Sequence, residues 1–163
     1  MIGDNKFSIQ HKEVEQVDCL YLRGYLDAHT APVLESAITN IIGKGQNKIL
    51  VNFSELDYIS SAGLGVFMAF IEDVRDSGGD IKLADMKPKV FSVFDLLGFP
   101  VLFDIDKEEK TAMNKFQRGE SFKPSGFHKN TGILGGIIIG EGSKSSQKIT
   151  GTNNAQEKRK NIE

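Results

Sequence analysis

The sequence KILVNFSELDYISSAGLG, at residues 48–65, carries the clearest structural signal in the chain. Its first part, residues 48–53, is a nearly continuous apolar run, which is typical of a β-strand covered on both faces. Beyond it, apolar residues recur with helical spacing at Phe67, Phe70, Ile71 and Val74. This spacing predicts a helix over about 62–77 that ends at a pair of glycines. The stretch therefore predicts a buried strand, a turn rich in serine and glycine, and an amphipathic helix.

Strands and helices alternate on both sides of this unit. Upstream, two alternating apolar runs predict a β-hairpin, and a helix follows with Thr30 as its predicted N-cap and Pro32 in its first turn. The predicted elements outside residues 48–77 are strands at about 7–9, 17–22, 81–84 and 101–103, and helices from about 30 to Gly43 or Gly45, 88–97 and 106–116. The order ββαβαβαβα predicts an α/β sandwich, in which an N-terminal β-hairpin opens a mixed central sheet and crossover helices cover it.

Charge and composition divide the chain near residue 116. Residues 1–116 contain 12 basic and 18 acidic side chains, whereas residues 117–163 contain 8 and 4 and hold 8 of the 17 glycines. A segment of this kind buries too little apolar surface to offset its ordering entropy. We therefore predict a folded domain over 1–116 and a disordered, Gly/Ser/Lys-rich C-terminal tail over 117–163. Within the tail, the aliphatic stretch 132–140 is open to two interpretations, a transiently β-prone segment or a docking and self-association segment.

Several classes of protein are disfavoured by the composition. A formal net charge of −2 gives no electrostatic case for nucleic acid as a partner. The single cysteine, Cys19, excludes an internal disulfide and a Cys-rich zinc site, and its apolar setting predicts a buried hydrophobe. The N-terminus shows no apolar signal segment, and the longest aliphatic tract, 133–139, is far short of the ~20 residues that span a bilayer. We expect a soluble cytoplasmic protein without a membrane partner, a metal site or a cofactor.

The serines at positions 60 and 61 lie where the predicted strand passes into the predicted helix. Free N–H groups and the helix dipole favour negative charge at such a position. One interpretation is that Ser60 or Ser61 is only an N-cap, which contributes ~1 kcal/mol of stability. The other is that one of them carries or meets a phosphate. Leu64 and Met68, one helical turn apart, belong either to the core or to an apolar contact beside the serines.

A serine enzyme is the competing interpretation of the same turn. Strand, turn and helix with a serine form the setting of a nucleophile elbow, G-x-S-x-G. Here Ile59 stands in place of the first glycine, which argues against that strained turn. Of the three histidines, only His29 is a plausible base for Ser61. The sequence shows no phosphate-binding loop, metal cluster or paired carboxylates, so we expect no catalysis.

The segment at residues 23–32 and the segment at residues 52–66 are two separate motifs, and together they resemble those of STAS domains, the anti-sigma factor antagonists. RGYLDAHTAP, at residues 23–32, resembles the family segment Gly-x-Leu-Asp-x-x-(Thr/Asn)-(Ala/Ser), and residues 52–66 resemble the signature loop and its helix. Residues 78–84 and 90–99 continue the resemblance in register, so that it covers roughly 6–112. The tail has no counterpart in the minimal family domain.

The resemblance implies a binding module without catalytic activity. Such a domain docks on an anti-sigma factor serine kinase, a histidine-kinase-like ATPase, and thereby frees a sigma factor. The kinase phosphorylates one serine of the signature loop, which weakens binding, and a PP2C-type phosphatase resets the module. The family pattern assigns the phosphoacceptor to Ser61. The residues that the resemblance and the turn together assign to partner binding are Asp27, Ser60, Ala62, Gly63, Leu64 and Met68.

One departure from the family pattern leaves a second acceptor open. The residue before the acceptor is often aspartate, but in this chain it is Ser60, which offers another hydroxyl. An alternative function within the same family is a phosphorylation-independent STAS subunit of a lipid-transport, stressosome or other signalling assembly. The serine hydrolase with Ser61 and His29 is the third hypothesis.

Overall fold

A computed structural model describes residues 6–123 as a five-stranded sheet with four α-helices. The strands are β1 (Ser8–Val14), β2 (Val17–Leu26), β3 (Lys48–Ile59), β4 (Asp80–Ala84) and β5 (Asp104–Asp106), and the helices are α1 (Ala31–Gly43), α2 (Ser61–Asp76), α3 (Pro88–Leu96) and α4 (Glu109–Gln117). The strand order is β1-β2-β3-β4-β5. The first pair is antiparallel and the other three are parallel, which confirms the mixed sheet opened by a hairpin.

The sheet has an apolar core on each face. On one side, α1, α2 and α3 pack on the sheet, and five phenylalanine rings form its centre with centroids 5.1–6.4 Å apart. On the other side, α4 covers a smaller cluster through Ala112 and Phe116. Residues 49–51 and 53 of β3 are fully buried and divided between the two clusters, as expected for a strand covered on both faces.

Cys19 lies in the smaller core and is inaccessible to solvent. Burial, together with the negative charge of Glu109, raises the pKa of its thiol to about 11. A thiol with such a pKa is neutral at physiological pH and unreactive as a nucleophile. The prediction of a small buried hydrophobe is therefore confirmed.

The prediction of a strand at 101–103 is wrong. Residues Phe99–Val101 form a 3-10 turn, and the ring of Phe103 joins the aromatic core. The strand that pairs with β4 comes next, at Asp104–Asp106, with the sequence Asp-Ile-Asp. Its carboxylates are held by lysines, so ion pairs replace the apolar alternation by which a strand is recognised.

The following two boundaries and one cap also differ from the prediction. Strand β3 extends to Ile59, six residues beyond the apolar run, along a bulged pairing with β2. Helix α4 begins at Glu109 rather than near residue 106. Thr30 occupies the N-cap position of α1, but its hydroxyl makes no cap hydrogen bond and instead donates to the carbonyl of Tyr25. The competing acceptor lies at the end of β2, which the helix pattern alone does not reveal.

The described chain continues past the predicted boundary at residue 116. The ring of Phe122 lies 4.3 Å from the guanidinium carbon of Arg75. Residues 124–163 lie outside the described residues, and with them the aliphatic stretch 132–140. The division into a domain and a disordered tail stays a prediction.

Candidate functional site

The two serines occupy different environments at the junction of β3 and α2. Ser60 is the N-cap: its backbone is extended, and its Oγ accepts from the N–H of Gly63 at 3.4 Å. Its own N–H donates to the carbonyl of Leu26 at 2.9 Å, which ties the junction to the end of β2. Ser61 is the first residue of α2 and is exposed. Within residues 6–123 its hydroxyl has no hydrogen-bond partner. The cap role therefore belongs to Ser60, and the free hydroxyl to Ser61.

Gly63 allows the start of α2 to approach the sheet closely. A Cβ at this position would lie 2.7 Å from Cγ of Leu26 and 3.1 Å from Cγ1 of Ile59. Real Cβ atoms do not come that close to a neighbour, so only glycine permits this packing. The junction is thus fixed from below by the ends of β2 and β3, which are paired at Leu26 and Ile59.

Substitution of Gly63 by alanine is expected to destabilise the domain by about 1–3 kcal/mol, because the added methyl overpacks the core under the junction. At Gly65, two residues later in the same helix, a methyl group would have no atom within 4 Å. Gly65→Ala is therefore the matched control, and we expect it to be neutral or stabilising by up to ~1 kcal/mol. Urea denaturation followed by circular dichroism measures both. Equal stability of the two variants would contradict the close approach.

The loop after β2 lies beside the serines, because β2 and β3 are parallel neighbours that end together. In this loop Asp27 Oδ1 accepts from the backbone N–H groups of His29 (2.9 Å) and Thr30 (3.1 Å). Partial desolvation of the carboxylate acts to raise its pKa, but the donors from Thr30 and His29 together outweigh it and hold the pKa below the ordinary value. Asp27 thus shapes the turn that leads into α1.

The exposed surface of α2 next to Ser61 is built from small residues and one methionine. Ala62, Gly65 and Ala69 are exposed, as is Met68, whose relative exposure is 44%. Leu64, in contrast, is 3% exposed and packs in the core. Leu64 therefore belongs to the core, whereas Met68 is exposed and available for an apolar contact beside the serines. We call the exposed residues 61, 62, 65, 68 and 69 the α2 strip.

Two further features flank the serines that the sequence analysis did not single out. Tyr25 and Tyr58, at the ends of β2 and β3, are exposed and pair with ring centroids 5.5 Å apart. Asp57 binds the ammonium of Lys87, and this hydrogen bond is the main reason why its pKa is lowered. Each tyrosine comes directly before the apolar last residue of its strand, and this shared position was the sequence signal for the pair. The Asp57 contact joins residues thirty apart and had no local signal.

The structure does not assemble a serine nucleophile with its base. His29 is exposed, and within the described chain no hydrogen bond links its ring to Ser61. Over residues 6–123 there is also no group of three or more His, Cys, Asp or Glu side chains arranged to hold a metal ion. In the same range, none of the helices has the length and apolarity needed to cross a membrane.

Comparison with known proteins identifies relatives of this sequence and of this fold. A protein of Bordetella bronchiseptica named as a candidate anti-sigma factor antagonist, BtrV, is 31% identical over 96 residues, which are 59% of this chain and 83% of that protein. The anti-sigma-B factor antagonist of Bacillus subtilis is 27% identical over 55% of this chain and 81% of its own length. The solved structure of the anti-sigma factor antagonist SpoIIAA in its unphosphorylated form aligns with a TM-score of 0.59 and 25% identity, over 71% of this chain and all of that one.

The family comparison agrees with the motifs in both strand-end loops. The STAS domain model matches residues 8–112, which include the Asp27 loop, the two serines and the whole of α2. The match spans β1 to β5 and α1 to α3 and ends within α4. With more than half of its length inside the family model, the chain belongs to the STAS domain family.

Proposed function

We propose that this protein is an anti-sigma factor antagonist whose binding to its partner is switched by phosphorylation of Ser61. In the unmodified state it sequesters an anti-sigma factor serine kinase and so releases a sigma factor. The observation that carries the proposal is the exposed, unpaired hydroxyl of Ser61 at the first position of α2, beside a Ser60 that already serves as the cap. The names of the relatives, and the existence of an unphosphorylated form of SpoIIAA, support it.

The position suits a modification that leaves the fold intact. A phosphoserine adds roughly −1.5 to −2 charges, and the N-terminal end of a helix stabilises negative charge through its dipole and its free N–H groups. The phosphate would project from an exposed residue and would not displace a core contact. The modified surface is therefore changed in charge and shape while the domain below it remains folded.

The α2 strip supports a closely fitting partner. Its alanines and glycine present almost no side-chain bulk, so a partner could approach the helix backbone, with Met68 as an adaptable apolar contact. The partner-binding site that we propose also includes Asp27, Ser60, Ala62, Gly63 and Leu64. Some of these residues contact the partner, and others hold the contact surface in place. Ala62 is exposed and can be touched directly, whereas Gly63 and Leu64 fix the helix from below.

The proposal implies two protein partners and no chemistry by the chain itself. The kinase is a histidine-kinase-like ATPase, and a PP2C-type phosphatase would restore the free serine. The kinase would phosphorylate the Ser61 hydroxyl and the phosphatase would hydrolyse the resulting phosphate ester, so the chain is a substrate and a binding module rather than an enzyme. Since sigma factors work in the cytoplasm, the proposed function keeps the predicted cytoplasmic location, without direct contact to nucleic acid or membrane.

Phosphopeptide mapping tests the assignment of the acceptor. The kinase is first captured from the native host with Ser61→Ala as bait and is then incubated with ATP and the purified chain. We expect a mass increase of one phosphate in the wild type and in Ser60→Ala, and none in Ser61→Ala. A phosphate mapped to Ser60 would refute Ser61 as the acceptor. A bound partner that modifies neither serine would favour the phosphorylation-independent assembly.

A further inference from the structure

A cleft lies at the opposite end of the sheet from Ser61. It is bounded by the amino ends of β3 and β4, the end of α2 and the residues that follow α4, and its volume is about 280 Å³. The lining that matters for its chemistry consists of Lys48, Arg75, Phe116, Glu120 and Phe122. We call this the Arg75 cleft. Its volume is close to the lower limit for ligand pockets, which is roughly 300 Å³, so only a small molecule fits.

The guanidinium of Arg75 is held in place but incompletely paired. Its Nε donates to Asp80 Oδ1 at 2.9 Å, and the rings of Phe103 and Phe122 lie 5.8 and 4.3 Å from its central carbon. Its Nη2 is buried and has no hydrogen-bond partner among the described residues. A buried donor without an acceptor is unfavourable, and such groups in native proteins call for an explanation. The guanidinium is therefore held in a fixed orientation with one donor that the described chain leaves unpaired, while 29% of the Arg75 side chain stays exposed.

The charges around the cleft favour a single negative charge. Asp80 is shared between Arg75 and the buried Lys82, so its charge is already balanced. Lys48 is half-buried and forms no ion pair within residues 6–123. Glu120 is paired with Arg118 at 3.3 Å and remains close to the cleft. Two cations thus attract an anion, while the two carboxylates disfavour a doubly charged one.

We propose that the Arg75 cleft binds a small organic monocarboxylate, with the carboxylate on the Arg75 guanidinium and Lys48 and the apolar body against Phe116 and Phe122. The planar fork of an arginine matches a carboxylate, and Asp80 already occupies Nε, so the ligand would meet the guanidinium at its terminal nitrogens, with a small displacement of the groups that cover Nη2. A phosphate would bring a second charge toward Asp80 and Glu120. This site is independent of the switch proposed at Ser61.

Titration of the full chain with benzoate tests the site, with benzamide as the neutral counterpart and hexanoate as a probe with a flexible body. Two-dimensional NMR of the backbone amides reports binding at each residue. We expect saturable shifts in the millimolar range for Gly78, Gly79 and Gly119 with a carboxylate and none with benzamide. Arg75→Lys should weaken benzoate binding by ~10-fold or more, since a charged hydrogen bond with fixed geometry is lost.

A substitution of opposite sign makes the test specific. Glu120→Gln removes a repelling charge and should tighten benzoate binding by roughly two- to fourfold, whereas Lys48→Gln should weaken it by a similar factor. Glu120 is exposed and Lys48 is half-buried, so we expect both variants to fold. They therefore test the proposal even if Arg75→Lys unfolds. The proposal is overturned if neither carboxylate gives saturable shifts, if benzamide binds as well as benzoate, or if Glu120→Gln and Lys48→Gln both leave the affinity unchanged.

Discussion

Ser61→Asp is expected to bind the proposed anti-sigma kinase about a hundredfold more weakly than the unmodified wild type. The α2 strip offers the partner a flat surface of small residues, so the new carboxylate would be enclosed by the interface. A charge that is taken out of water without a cation to receive it costs several kcal/mol. A penalty of ~3 kcal/mol corresponds to about two orders of magnitude in the dissociation constant. Isothermal titration calorimetry with the purified kinase measures the change.

Ser77→Asp is the matched control for this prediction. Ser77 is an exposed serine at the other end of the same helix, about 24 Å along the axis at 1.5 Å per residue. The variant has the same net charge as Ser61→Asp, so it should bind like the wild type, as should Ser61→Ala. Unfolding of Ser61→Asp should show unchanged or slightly raised stability, because an acidic residue in the first helical turn is favourable by ~0.3–1 kcal/mol. Wild-type affinity of Ser61→Asp would refute the switch and favour a phosphorylation-independent STAS subunit.

The sequence predicted most of the fold because its core follows regular periodicities. The apolar run at 48–53 and the helical spacing from Phe67 to Val74 correspond to buried residues of β3 and α2. The sequence-based prediction failed at β5. The side chains of this strand that face α4 are carboxylates, and they are compatible with a sheet only because Lys82 and Lys115 pair with them. Those partners are 22 and 11 residues away from Asp104, and a local pattern cannot include them.

The candidate site was predictable as a location but not in its detail. Adjacent serines at a strand-to-helix junction have the same local signal, and only the backbone geometry separates the cap, Ser60, from the free hydroxyl, Ser61. The same limit applies to Leu64 and Met68, whose burial depends on how the helix is rotated against the sheet. Which side chain faces the core is decided by tertiary packing, which is not contained in spacing alone.

A second large effect is expected at the buried ion-pair cluster around Lys82. Lys82 is inaccessible to solvent, and its Nζ donates to Asp80 Oδ2 and Asp104 Oδ2, both at 3.0 Å. Asp104 also binds Lys115 at 2.7 Å. Burial of the Asp104 carboxylate acts to raise its pKa, but the hydrogen bonds from Lys115 and Lys82 outweigh it and lower the pKa below 3.8. The cluster joins β4 and β5 and places α4 over the smaller core, with the Phe116 ring 5.0 Å from Nζ.

Lys82→Met is expected to destabilise the domain by about 3–5 kcal/mol near neutral pH, because it preserves the apolar stem but leaves two carboxylates without their shared cation. Lys115→Met should cost less, since the Lys115 side chain is one-quarter exposed whereas that of Lys82 is inaccessible to solvent. Urea denaturation at several pH values measures the difference.

The pH dependence separates the loss of charge from the loss of packing. A carboxylate whose pKa is lowered on folding stabilises the wild type at pH values above its ordinary pKa of 3.8. This contribution is lost as the pH falls through the folded-state pKa. In Lys82→Met the carboxylates no longer gain from that cation, so the deficit relative to the wild type should narrow as the pH falls below about 4. Adding Asp104→Asn to Lys82→Met should recover part of the loss, because one of the two carboxylates that have lost Lys82 then carries no charge. A deficit that is independent of pH and unaffected by Asp104→Asn would show that Lys82 acts through packing alone, and the ion pairs would then not account for the choice of Asp-Ile-Asp as an edge strand.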